Sequence, residues 1–141
     1  RVAYVQENNV YIQTIDFQNP QDPVQVTDLG SDVILCGTQS WLYEEEIFAD
    51  FSALWWSTSG ENLAYFISDE SAVSEIGIQY FDADETYPTT LNFPYPKVET
   101  ENPTVSLYVY NLVAGTSVEV NLAKDFNEPY LTGVWWISDD M

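Results

Sequence analysis

Short strand-like runs alternate with turn residues along the whole chain, and this alternation is the strongest constraint on the fold. No long stretch repeats apolar residues at the helical period, whereas β-branched and aromatic residues cluster in brief runs. Asn and Gly between the runs supply the positive φ that tight hairpins need. The sequence therefore predicts an all-β fold. The predicted strands are Val2–Val5, Val10–Ile15, Ala53–Trp56, Leu63–Ile67, Val105–Leu112, Ser117–Leu122 and Val134–Ile137.

An internal sequence repeat indicates which kind of all-β fold to expect. "RVAYV" at Arg1–Val5 is similar to "NLAYF" at Asn62–Phe66, and "WWISDDM" from Trp135 resembles "WWSTSGE" from Trp55. Repeats of strand, tight turn and strand with long insertions are typical of a β-propeller, whose blades are four-stranded antiparallel sheets. The chain would hold about two to three blades and begin and end inside a repeat, as a piece of a longer protein. A β-sandwich is the alternative, which composition does not exclude.

Two segments do not resemble blade strands. The glutamates of Ser40–Phe51 favour a short helical turn. Ser68–Pro103 holds four of the seven prolines, which interrupt regular pairing. Because loops this long inside a domain are usually functional or disordered, we expect an extended arm there.

The charge of the chain limits its partners. Twenty-three acids against three basic residues give a net charge of −20. Nucleic acids and anionic membranes are unsuitable partners, because both are recognised through basic patches. Disordered acidic chains lack aromatics, whereas this chain is 16% aromatic and should fold. Cationic or amine-bearing ligands therefore fit best.

Two residue types that carry much of enzyme chemistry are scarce. The chain has no histidine, which excludes a Ser-His-Asp triad and the usual zinc sites within these residues. Its single cysteine, Cys36, cannot form an internal disulfide and is expected to be a small buried hydrophobe. We therefore expect no metal site and no cofactor.

The stretch "EEE" at Glu44–Glu46 is the most unusual local feature, because it is framed by Trp41, Tyr43 and Phe48. Adjacent carboxylates repel, and more strongly where aromatic neighbours lower the dielectric. On a helical turn successive side chains point about 100° apart, so one of the three is expected to face away. Taken alone, the run favours a solvated helix face. A site for a cation is the alternative.

An ordered set of motifs separates these alternatives. Together they resemble the N-terminal propeller domain of the dipeptidyl-peptidase IV family of serine exopeptidases, most closely between Trp41 and Leu112. The motifs are "WLYEEEIF" (Trp41–Phe48), "SALWWS" (Ser52–Ser57), "LAYF" from Leu63, "YPK" (Tyr95–Lys97) and "ENPTVSLYVYNL" (Glu101–Leu112).

The resemblance implies a fold and a function. It implies that residues 1–141 are a fragment of an eight-bladed propeller that packs on an α/β-hydrolase domain, with the catalytic triad in that second domain and outside this chain. Such enzymes release dipeptides from free N-termini and prefer proline or alanine in the second position. The propeller recognises the substrate and gates access to the active site. By resemblance, Glu45 and Glu46 bind the α-amine of the peptide, and Glu44, Tyr43 and Trp41 support them.

The resemblance also implies a partner, because an extended arm in this part of the propeller contributes to the family's homodimer. Apolar clusters in the excursion favour docking, since exposed clusters would promote aggregation. A flexible acidic loop is the alternative. The arm residues expected to dock are Ile76, Tyr80, Phe81, Phe93 and Tyr95.

Three departures from the family pattern indicate a divergent member. Ser40 stands where the family usually has an acid, "STSG" at Ser57–Gly60 replaces a proline-containing turn, and Ser74 stands where proline is common. All three lie in turns or at the rim, and they leave the glutamate motif intact.

Two functions stay open at this point. One is an active serine-type dipeptidyl aminopeptidase. The other is a non-catalytic relative that binds a membrane protein as an auxiliary subunit, for instance of a potassium channel. Such relatives can keep the glutamates, so only a Gly-x-Ser-x-Gly nucleophile elbow outside this chain would separate the two. The resemblance implies a type II membrane ectodomain, a secreted protein or a vacuolar one.

Overall fold

The computed structural model describes residues 1–121 and 129–138. Every paired strand in this part is antiparallel, and the only helical segment is a short α-helix that continues into a π-helical turn. The predicted all-β class is confirmed. The elements are β1 (Val2–Gln6), β2 (Asn9–Gln13), β3 (Val24–Gln25), β4 (Ile34–Cys36), α1 (Trp41–Tyr43), the π-turn (Glu44–Phe48), β5 (Leu54–Trp56), β6 (Asn62–Asp69), β7 (Glu75–Tyr80), β8 (Thr89–Pro94), β9 (Thr104–Asn111) and β10 (Thr116–Glu119).

The strands form three sheets. The first has the order β1-β2-β3, and the second, which we call the central sheet, has the order β10-β9-β6-β4 with β5 also paired to β6. The two short strands share one edge of β6, since Leu54 pairs with Tyr65 and Cys36 pairs with Ile67. The third is the hairpin β7–β8, within the predicted excursion. Separate antiparallel sheets joined in sequence fit consecutive parts of a β-propeller.

Positive-φ residues close the tight turns where the sequence predicts them. The pairing of Gln6 with Asn9 leaves Glu7 and Asn8 as a two-residue loop, with φ of 50° and 56°. Two positive φ values define the type I′ turn, whose twist matches that of a hairpin. The Asn8 side chain donates to the Ser31 carbonyl at 2.8 Å, which ties this turn to the loop before β4.

Alternation along β6 gives the central sheet two apolar faces. Leu63 and Tyr65 pack with Val10 and Cys36, which joins the central sheet to the first sheet. Phe66 points the other way and packs with Tyr43 and Ala53. The segment that carries the glutamates therefore rests on the second face of the central sheet.

The predicted strand at Val134–Ile137 is wrong, because these residues are not in a strand. Trp136 donates its indole N–H to the Trp55 carbonyl at 3.2 Å, and Val134 packs against the second face of the central sheet. Ile137 is fully exposed. A β-branched and aromatic run favours a strand only where a ladder partner exists, and no described residue pairs with this segment. The end of another predicted strand, Leu122, lies outside the described residues.

Cys36 is fully buried in the core and has a free thiol. Burial raises the pKa of this thiol, as expected for a structural cysteine. Across the residues that the structure describes, no helix has the length and hydropathy needed to cross a bilayer.

Candidate functional site

Ser40 begins the helical segment that carries the glutamates. Its backbone is extended, with φ −67° and ψ 161°, and its Oγ accepts a hydrogen bond from the Tyr43 N–H at 3.3 Å. Its carbonyl accepts from the Glu44 N–H at 2.9 Å. Serine and acidic residues are both good N-caps. The serine found where the family usually has an acid therefore still caps the helix.

The three glutamates lie on a widened turn that the sequence did not predict. After the three residues of α1, the backbone becomes π-helical over Glu44–Phe48. Ala49 ends the turn in the left-handed region, with φ 53° and ψ 31°, a conformation that costs a non-glycine residue about 1 kcal/mol. π-turns are rare and occur frequently at functional sites.

Tyr43 fixes this turn to the core. It is only 1% exposed, and its ring lies 6.3 Å from Phe66, edge to face, and 6.4 Å from Phe48. Its hydroxyl oxygen accepts a hydrogen bond from the Leu131 N–H at 3.2 Å. Burial raises the pKa of the Tyr43 phenol, so the ring is neutral at physiological pH. Tyr43 is thus a structural support directly before the glutamates.

Trp41 holds the beginning of the turn from the other side. Its ring is half-buried and lies 4.2 Å from the ring of Tyr95, centroid to centroid, with the planes tilted by 38°. Tyr95 follows β8, at the base of the hairpin, and its ring lies 6.5 Å from Phe93. Trp41 and Tyr95 belong to one ordered set of sequence motifs, but the motifs do not predict that the two rings touch.

Glu45 and Glu46 are exposed, whereas Glu44 is half-buried. None of the three side chains has a hydrogen bond or an ion pair within residues 1–121 and 129–138. The two exposed carboxylates belong to consecutive residues and are open to a ligand. In the same described part of the chain, no group of His, Cys, Asp and Glu residues could hold a metal ion.

The predicted arm residues lie on or beside the hairpin, apart from the glutamates. Ile76 and Phe93 are cross-strand partners and both are half-buried. Tyr80 ends β7 and is 53% exposed, and Phe81, next in sequence, is 73% exposed. Tyr95 is the one of the five whose ring contacts a ring of the helical segment.

A cleft lies behind the glutamate turn and does not include the carboxylates. Tyr43 forms one side of it, and the Asn102 side-chain amide donates to the Tyr130 hydroxyl at 2.6 Å. The remaining lining residues are Pro129, next to Tyr130, and residues from the segment before β9 and from the beginning of β9. The glutamates lie outside this cleft, on the exposed side of the turn.

Glu70 is a buried acid that the sequence analysis missed. It is 5% exposed, and burial raises the pKa of its carboxyl to about 7. Its backbone N–H donates to the Val33 carbonyl at 2.8 Å, which draws the end of β6 against the segment before β4. An acid in the polar run "SDES" gives no sequence signal of burial.

Comparison with known proteins gives the chain its family. Residues 1–141 match the family described as dipeptidyl peptidase IV (DPP IV) N-terminal region. Dipeptidyl aminopeptidase B of Saccharomyces cerevisiae is 38% identical over 142 residues, covering 98% of this chain and 17% of that protein. Probable dipeptidyl-aminopeptidase B of Chaetomium globosum is 33% identical over 147 residues, covering 96% of this chain and 16% of that protein.

A solved structure agrees with the sequence relatives. The crystal structure of Porphyromonas gingivalis dipeptidyl peptidase 4 matches with a TM-score of 0.77 and 36% identity, over 89% of this chain and 17% of that chain. This match confirms the predicted fold, part of a β-propeller, and the predicted family. The chain spans about one sixth of the length of the curated relatives it matches. It belongs to the dipeptidyl peptidase IV family, within the N-terminal region of that family.

Proposed function

We propose that this chain is the substrate-recognition and gating part of a serine-type dipeptidyl aminopeptidase, in which Glu45 and Glu46 bind the α-amine of the peptide. One observation carries the proposal. The carboxylates of two consecutive residues are exposed and unpaired within the described residues, on a turn that is capped by Ser40 and fixed to the core by Tyr43. The names of the relatives, which are dipeptidyl aminopeptidases, supply the reaction class.

The chemistry of the pair suits an ammonium group. An α-ammonium offers three N–H donors, and carboxylates accept them in short, charge-assisted hydrogen bonds. The cation also relieves the repulsion between the two acids. A peptide with a blocked N-terminus has neither the charge nor the three donors, so it would bind poorly.

A fixed amine site would also determine the length of the peptide that is released. The nucleophile and its triad would lie in the remaining five sixths of the parent protein. If the amine is held at a constant distance from that nucleophile, cleavage follows the second residue of the peptide. Preference for proline or alanine in that position would be set by residues outside this chain.

The test uses the full-length parent protein and a chromogenic Gly-Pro amide. Combined Glu45→Ala and Glu46→Ala substitutions are expected to lower kcat/KM at least about 100-fold, because two lost hydrogen bonds to a charged group together cost about 3 kcal/mol or more. Glu61→Ala is the matched control, since it removes one exposed acid from the turn before β6. Circular dichroism checks that every variant is folded.

The possible results distinguish an amine site from a solvated turn, and an active enzyme from a non-catalytic relative. Wild-type activity in the double variant would contradict the amine site and leave the glutamates as a solvated turn. A folded wild-type protein without peptidase activity would contradict the enzyme and favour the non-catalytic auxiliary subunit. The expected collapse of activity in the double variant alone would support both parts of the proposal.

The hairpin is proposed to form part of a homodimer. It pairs with no other sheet in the described residues, and it exposes Ile78, Tyr80, Phe81 and Leu91, each by at least half. We expect combined Tyr80→Glu and Phe81→Glu substitutions to convert the dimer to a monomer in sedimentation velocity, because charges would be buried in an apolar interface. Glu85→Ala, also in this segment, is the control. A dimer in the double variant would contradict this interface.

The location of the parent protein is also a proposal, based on the family resemblance alone. We infer a type II membrane ectodomain, a secreted protein or a vacuolar one. Fractionation of cells that express the tagged full-length protein tests this, and recovery in the cytosol would contradict it.

A further inference from the structure

The hairpin and the glutamate turn meet through one pair of aromatic rings. In the described part of the chain, the Trp41–Tyr95 contact is the only aromatic contact between residues 75–95 and the rest of the protein. The hairpin is otherwise a separate two-stranded sheet. The contact therefore joins a peripheral element to the segment that carries the candidate amine site.

Tyr95 is built to be a rigid support. Pro94 and Pro96 flank it, which restricts the backbone on both sides. Its N–H donates to the Ser74 carbonyl at 2.9 Å, across the base of the hairpin. Phe93 lies against its ring edge to face. The position of the Tyr95 ring is thus determined by the hairpin.

Trp41 connects the Tyr95 ring to the segment that bears the carboxylates. It is the first residue of α1, and Glu45 and Glu46 follow four and five residues later, about one helical turn further on. Tyr43 fixes the same turn to the central sheet. A single contact would leave the turn free to pivot about it, whereas two contacts on different elements define its orientation.

We propose that Tyr95 is a positioning residue, which orients the glutamate turn through Trp41 so that the seating of the hairpin sets the affinity for the substrate amine. This inference rests on the proposed function. It goes beyond it by assigning the hairpin a second role, separate from any role in dimer formation. A change in the position of the hairpin would then also change the affinity of the amine site.

The main test is Tyr95→Ala in the full-length protein, assayed with the chromogenic Gly-Pro amide. Loss of the ring contact is expected to raise KM about fivefold and leave kcat within about twofold, because amine binding is weakened and the reacting groups are elsewhere. Tyr95→Phe keeps the ring and is expected to restore the wild-type KM, since the Tyr95 hydroxyl has no hydrogen bond within the described residues. A KM equal to wild type in folded Tyr95→Ala would overturn the proposal.

Tyr87→Ala is the matched control. Tyr87 lies in the loop of the same hairpin, is 81% exposed and has no ring contact in the described residues. Its loss is expected to leave KM unchanged. If Tyr87→Ala raises KM as much as Tyr95→Ala does, the effect belongs to the hairpin in general and the proposal fails.

A second variant keeps the test valid if Tyr95→Ala dissociates the dimer. Trp41→Leu removes the same contact from the other side and leaves the hairpin intact. Sedimentation velocity identifies the variants that stay dimeric, and dimeric Trp41→Leu is expected to show the same rise in KM. A wild-type KM in that dimer would overturn the proposal.

A double-mutant cycle separates this inference from the proposed function. If Tyr95 acts through the glutamates, Tyr95→Ala adds no further rise in KM when Glu45 and Glu46 are already alanine. An equal rise in both backgrounds would mean that Tyr95 acts elsewhere. If the glutamate variant itself keeps the wild-type kcat/KM, the proposed function fails. If the glutamate variant loses kcat/KM but Tyr95→Ala keeps the wild-type KM, only this inference fails.

Discussion

At the scale of single residues, burial separates acids that look alike in the sequence. Glu45 and Glu46 are exposed on a helical turn, whereas Glu70, in an equally acidic run, is 5% exposed. The exposed pair is available to a ligand. The buried carboxyl is held toward its neutral form by desolvation alone. A chain with net charge −20 thus keeps one acid whose charge opposes folding.

This acid gives a pH prediction. The folded-state pKa of Glu70 is raised from 4.5 to about 7, so the folded protein binds the proton more tightly than the unfolded chain does. Stability is therefore lost as pH rises from about 4.5 to about 7, and the loss is complete above that window. Glu70→Gln removes the loss. We expect its Tm to exceed that of the wild type by about 2–4 °C at pH 8 and to match it at pH 4.5.

Thermal denaturation of the full-length protein at the two pH values checks this prediction. Glu61→Gln, at an exposed position, is the control and is expected to follow the wild type at both. A Glu70→Gln variant with no gain at pH 8 would show that the carboxyl is charged in the folded protein without penalty.

At the scale of the elements, the sequence predicts what depends on local pattern and misses what depends on neighbours. Short runs of β-branched and aromatic residues predicted β1, β2, β5, β6, β9 and β10, and Asn and Gly marked the turns between them. The run at Val134–Ile137 has the same composition but no ladder partner among the described residues, so it is not a strand. The short strand β4 was not predicted, because pairing with β6 defines it and its own sequence does not.

The candidate site likewise has some features that the sequence predicts and others that it does not. The helical turn and its glutamates could be predicted from the motif. The π-helical widening, the cap geometry of Ser40 and the contact of Trp41 with Tyr95 could not, because they depend on how the turn packs between the central sheet and the hairpin. Those features determine where the carboxylates are held.

The second face of the central sheet gives a prediction about packing. Phe66 is fully buried and its ring contacts Tyr43, Phe48 and Trp55. We expect Phe66→Ala to destabilise the domain by about 3–5 kcal/mol, because it removes the surface on which the glutamate turn rests. Phe17→Ala is the control, since Phe17 is 96% exposed, and a change within about 0.5 kcal/mol is expected.

Chemical denaturation of the full-length protein, followed by tryptophan fluorescence, measures both variants. Trp55 lies 4.8 Å from Phe66, so its surroundings change when this face unfolds, and its emission contributes to the signal. Equal stability of the two variants would contradict the assigned core.

At the scale of the whole molecule, the chain is a piece of a propeller in the dipeptidyl peptidase IV family. Its two larger sheets share a core, the glutamate turn packs on the opposite face of the central sheet, and the hairpin forms a separate sheet. The architecture thus separates a rigid scaffold from the two features proposed to meet other molecules. A strongly acidic surface also favours the approach of a cationic peptide terminus over an anionic one.

The most direct test of the account measures binding of the substrate amine without relying on turnover. A dipeptide such as Gly-Pro, with a free or an acetylated N-terminus, is titrated calorimetrically into the full-length wild type, the combined Glu45→Gln and Glu46→Gln variant, and the Glu61→Gln control. We predict that acetylation weakens binding at least tenfold in the wild type and the control but hardly changes it in the double variant. An equal effect of acetylation in all three proteins would contradict the claim that these two glutamates bind the amine.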